Sequence, residues 1–164
     1  MKAPHLVRVE EVPEAFATLV EAVGAAGLRL GWLEWRAPEP LPRSLTAAAG
    51  LGALRAVAVG GGISAAVKPI AGSPVLADLL RQHFLGCALV LIHGQGGRYG
   101  ETAGLPLLAP AGEEGYRLAS AGGDRTFSAE ELAARLRSPR PLAGVARGDA
   151  GPSGRSGAPE PAAR

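Results

Sequence analysis

Three residues near the middle of the chain have side chains of the kind that do chemistry: His83, Cys87 and His93. A thiol beside an imidazole begins a nucleophile–base pair, provided the thiol pKa is lowered and the base lies within hydrogen-bond reach. His83 and Cys87 are one helical turn apart only if a helix runs through Gly86, a residue that stops helices. Cys87 also sits in Leu-Gly-Cys-Ala-Leu-Val, a setting in which a free thiol packs as a small hydrophobe. The same three side chains are all that this region offers zinc, which takes three or four ligands. No metal is expected.

A second group would hold an anion: Lys68, Arg81, Arg98 and Tyr99. The chain has fifteen arginines but only Lys2 and Lys68 as lysines, so Lys68 is a compact point charge that arginine does not duplicate. Lysine on an edge strand also discourages strand-to-strand association, which accounts for Lys68 equally well. Arg98 and Tyr99 lie in Gly94-Gln-Gly-Gly-Arg-Tyr-Gly100, directly after the most apolar strand, where ligands of open α/β sheets gather. That loop lacks the Gly-Lys-Ser/Thr ending of a phosphate loop. Its alternative is a solvated excursion before Leu105.

Val57-Ala-Val-Gly-Gly-Gly-Ile-Ser-Ala65 imitates the dinucleotide fingerprint. The fingerprint works by starting a helix whose N-terminus meets a pyrophosphate. Here Pro69 leaves less than two turns of helix, and no acidic residue ends a strand about 20 residues on. The glycines are read as a hairpin turn between Arg55–Val59 and Ile63–Lys68. No cofactor is expected.

Elements that would position these residues are legible on both sides of them. Helices are expected from Pro13 to Gly24 or Gly27, from Pro42 to Gly50, from Ser73-Pro74 to Gly86, and over 129–137. The last opens on Ser128-Ala-Glu-Glu131, the pattern of a capping box. Strands are expected over 6–9, 28–35, 55–59, 63–68 and 88–92, then as a meander over 105–108, 116–119 and 125–127. Residues 88–92 are continuously apolar, as in a strand covered on both faces. Trp32 and Trp35 are three apart on one strand and so project to opposite faces, one of them a natural contact anchor if exposed.

The order strand–helix–strand–helix–strand–strand–helix–strand–strand–strand–helix predicts an α+β (mixed α/β) fold. It is one small domain over residues 1–138, a mixed β-sheet with about four helices packed on it. Residues 139–164 are rich in Pro, Gly, Ala and Arg without periodicity, a composition that stays disordered. The net charge of +2 is a property of that tail: residues 1–138 carry 13 basic and 13 acidic side chains. A nucleic-acid binder concentrates basic charge on its folded surface, so nucleic acid is not expected as a partner of the body. One cysteine permits no internal disulfide, no stretch reaches the ~18 apolar residues of a membrane span, and the N-terminus has no signal-like apolar region. A cytoplasmic protein with no membrane contact is expected.

With no acid–base pair, metal set or phosphate loop, the expected function is a non-catalytic binding or protein-interaction module with a protein partner. The alternative is a small enzyme or anionic-ligand-binding protein with a site around the Gly94–Gly100 loop. Substrate, oligomeric state and the role of the tail are not legible.

Overall fold

Leu89–His93 is the strand on which the rest of the molecule is assembled. Leu89, Val90, Leu91 and Ile92 are all 0% exposed, because helices cover both faces of this strand. The computed structural model describes residues 2–35, 43–52, 55–68, 70, 72, 74–96, 100–113 and 115–143. The segment 144–164, expected to be disordered, lies outside the described residues.

Among the described residues there are eight strands and four helices, in the order expected from the sequence except that four strands, not three, separate the third and fourth helices. They are β1 (His5–Val9), α1 (Ala17–Ala25, entered through a 3-10 turn Pro13–Phe16), β2 (Leu30–Glu34), α2 (Arg43–Gly50), β3 (Ala56–Gly60) and β4 (Ile63–Val67). After these come α3 (Leu76–His83), β5 (Leu89–His93), β6 (Leu107–Pro110), β7 (Gly115–Ser120), β8 (Gly123–Ser128) and α4 (Ala129–Leu136). Six strands form one mixed sheet in the order β2-β5-β1-β6-β7-β8, and β3-β4 form a separate two-stranded sheet. Strands β2, β5, β1 and β6 run parallel, so their carboxyl ends share one edge, while β6, β7 and β8 form an antiparallel meander.

Two apolar clusters flank the sheet. On one face Phe16, Leu19 and Val23, with Leu132, Ala133 and Leu136 of α4, cover Val7, Val9, Leu89, Leu91, Leu108 and Leu118. On the other, Leu76 and Leu80 of α3 meet Val90, Ile92, Leu33 and Trp35. Trp32 joins the first cluster and Trp35 the second, the opposite faces that their spacing requires. Buried Tyr116 spends its hydroxyl on Thr18 Oγ1 at 2.6 Å and accepts from Leu19 N–H at 3.2 Å, which joins the meander to α1.

The capping box at α4 is complete: Ser128 Oγ accepts from Glu131 N–H, and Glu131 Oε2 from Ser128 N–H. Helix α3 departs from the sequence expectation. Pro74 precedes the helix, Val75 is its extended N-cap residue, and Ser73 lies outside the described residues. Leu142, beyond the expected boundary at 138, is buried in the first cluster.

Candidate functional site

Parallel sheets gather ligands at the carboxyl ends of their strands, and that edge is built here from Val9, Glu34, His93 and Pro110. The first turn after β1 runs Glu10-Glu11-Val12-Pro13-Glu14, with all three carboxylates exposed. Three negative charges at this point repel an anion. The first turn of α3 is occupied as well: Leu76 N–H donates to Glu101 Oε2 at 2.8 Å. The protein's own carboxylate sits where a helix N-terminus would otherwise receive a ligand.

His93 closes β5 half-buried, stacked on the Trp32 indole with ring centroids 5.9 Å apart. Its Nδ1 is 4.0 Å from Glu34 Oε1, because the β2–β5 register pairs Glu34 with His93. The start of the glycine loop is held against the protein itself. A Cβ at Gly94 would lie 2.2 Å from the Trp35 carbonyl oxygen, and one at Gly96 1.8 Å from Trp35 Nε1. Fully buried Thr102 binds both the N–H and the carbonyl of Gly96 through its hydroxyl. These two glycines let Trp35 approach the backbone. Arg98 and Tyr99 lie outside the described residues.

The remaining candidates are dispersed. His83 ends α3, exposed, its ring edge-on to Phe84 at 6.4 Å. Cys87 is half-buried among Gly31, Phe84 and the second cluster. His93 is six residues further along an extended segment, about 20 Å at a strand's rise per residue, so thiol and imidazole do not meet. Arg81 pairs with Asp78, and Lys68 donates to Gln82. Lys68 and His83 do share one groove between the base of β4 and α3, a space of about 440 Å³ that Asp78 and Gln82 also line. That groove is separate from the His93 edge. Among the described residues no group of three or more His, Cys, Asp or Glu side chains is placed to hold a metal ion. No helix among them is long and apolar enough to cross a membrane.

The feature that sequence reasoning passed over is the β3–β4 hairpin as a surface. Gly61 and Gly62 both have positive φ, +58° and +78°, and reverse the chain as glycine does in a two-residue hairpin. Ile63–Val67 is extended, so the fingerprint-like glycines open no helix. From Ala56 to Val67 the sequence carries no charge. Val57 is 55% exposed, Val59 83% and Ile63 74%, with Leu51 (90%) and Ile70 (57%) exposed nearby. Alternation of valine and alanine gave the strands, but only the tertiary structure leaves this sheet outside the main one.

The class this fold defines is a mixed α/β domain with a parallel half, an antiparallel half and a separate two-stranded hairpin. No protein-family model matches the chain, and no curated protein matches it. Among solved structures, the chain is similar to the crystal structure of Bacillus subtilis MobB, at 22% identity and a TM-score of 0.38. The match covers 55% of this chain and 60% of that one, less than two thirds of the MobB chain. So low a TM-score defines neither a common fold nor a common activity.

Proposed function

We propose that the protein is an interaction module that binds a protein partner through the β3–β4 hairpin. The observation that carries this reading is the exposure of Val57, Val59 and Ile63 on a twelve-residue segment without charge. Burying one such side chain is worth about 1.5–3 kcal/mol, so solvent exposure of all three is unfavourable. A two-stranded sheet is also marginal alone and leaves unpaired backbone groups along its edges. A partner covering the hairpin removes both penalties. The carboxyl edge supports the same conclusion from the negative side, because its acidic turn and the Glu101 cap discourage phosphate-like ligands.

The test is a photoreactive amino acid placed at Val59 of the full chain in cells, with the same group at Arg117 as a control on an exposed strand. Adducts with protein are expected at Val59, absent at Arg117, and lost when Ile63→Lys is added. Equal labelling at the two positions would overturn the reading.

A second reading has one specific observation behind it, the stacking of His93 on Trp32 beside Glu34 at the sheet's carboxyl edge. It describes a small-ligand site, and the surrounding carboxylates favour a neutral or cationic ligand over an anionic one. Its mark is a His93 imidazole NMR signal that moves on adding a small organic amine and stays still with inorganic phosphate.

A further inference from the structure

We infer that the partner of the hairpin is a second copy of this chain, joined through antiparallel pairing of the two β4 edges. This rests on the reading of the hairpin as the contact element, and it names the occupant. The chain carries both halves of a self-complementary surface. The protruding half is the hairpin tip, where Ile63 stands exposed beside the Gly61-Gly62 turn on the same face as Val67, while Val59, paired with Ser64, is exposed on the other face. The receiving half is the open groove of about 440 Å³ at the base of the same strand. Its apolar lining includes Val67, Ile70, Pro74, Val75 and Leu79.

Strand pairing about a two-fold axis at Ala65 brings the halves together. In that register Ala65 faces its own copy, Ser64 faces Ala66, and Ile63 faces Val67, each across the axis. The tip of each copy then lies at the base of the other, beside the groove. Because the axis repeats every contact, both grooves fill at once, as in an isologous dimer. Small side chains at Ser64, Ala65 and Ala66 leave the centre of the edge flat enough for two backbones to approach.

Charge selects the direction. Lys68, which follows this edge, would lie opposite the glycine turn at Gly62 in antiparallel pairing, but beside its own copy in parallel pairing. An uncharged segment gives a charged partner nothing to pair with, whereas a second uncharged hairpin matches it.

Sedimentation velocity on the purified full chain, over a concentration series, reads the outcome. A concentration-dependent dimer is expected, with Ile63→Lys weakening it at least tenfold while leaving the thermal midpoint of the monomer unchanged, since Ile63 is exposed. The register is read separately by Ala65→Cys in a Cys87→Ser background. Cα atoms facing each other across an antiparallel pair are about 4.5–5.5 Å apart, within disulfide range. Oxidation is therefore expected to give a covalent dimer for Ala65→Cys and much less for Asp124→Cys in the same Cys87→Ser background. A chain that stays monomeric throughout, or that dimerises undiminished with Ile63→Lys, would overturn the inference. The cellular crosslink at Val59 separates the two failures: an adduct with a different protein keeps the interaction module and removes the dimer, and no adduct removes both.

Discussion

His5, at the start of β1, is one of the residues whose buried polar atoms are left unsatisfied. Its Nε2 is buried without a hydrogen-bond partner among the described residues. Burial lowers its pKa below the ordinary 6.5, nearby Lys2 pushes the same way, and the Ser138 backbone opposes them. The direction fixes the sign of the pH dependence. A histidine whose folded pKa is depressed binds its proton more readily in the unfolded chain. Its neutral form supports the fold fully above pH 6.5, and that support is lost as the pH falls from there toward the folded value. Thermal midpoints are therefore expected to drop between pH 7.5 and pH 5, with a smaller drop for His5→Gln. Equal drops in the two proteins would show that other groups carry the whole effect.

At the scale of elements, α3 takes its N-terminal hydrogen bond from a remote side chain. Its N-cap residue, Val75, has no side chain able to accept a hydrogen bond, and Glu101 supplies the acceptor from 25 positions away. Glu101→Ala is expected to cost about 1 kcal/mol in urea denaturation and to speed amide exchange over 76–80. Glu101→Gln keeps an acceptor and should restore most of the loss; failure to do so would assign the effect to charge. This pairing marks the limit of what the sequence discloses. Ser128 and Glu131 satisfy each other within one turn, so their box was legible, as was the reversal at Gly61-Gly62, which needs only glycine's positive φ. The Glu101 contact depends on where the 94–106 connection returns, and no local pattern encodes that. His93 meets Trp32 and Glu34 because β2 pairs with β5, a neighbour relation that the order of elements leaves open. The glycines at 94 and 96 looked like a ligand loop for the same reason: the Trp35 that fills their space stands at the end of the neighbouring strand β2.

Across the whole molecule, the parallel and antiparallel halves are joined where Arg8 of β1 meets Leu107 of β6, with Arg8 N–H donating to the Pro106 carbonyl at 2.8 Å. That seam is short. The two halves are unified chiefly by the first apolar cluster, which draws side chains from β1, β5, the meander, α1 and α4. Leu142 belongs to this cluster at 4% exposure, although composition placed it in the tail. A proline-rich turn, Ser138-Pro-Arg-Pro-Leu142, brings it back to the core, and Arg140 N–H bonds Ser138 Oγ at 3.2 Å along the way. Truncation tests where the body ends. Ending the chain after Ala143 keeps Leu142 and should leave the urea midpoint within error of the full protein. Ending it after Ser138 removes a buried leucine and should cost about 2 kcal/mol with the cooperativity of unfolding retained. Leu142→Ala in the full chain should reproduce most of that loss, since the backbone and the rest of the tail remain. If both truncations melt like the full chain and Leu142→Ala is silent, the cluster closes without this leucine and the body ends at the α4 C-terminus.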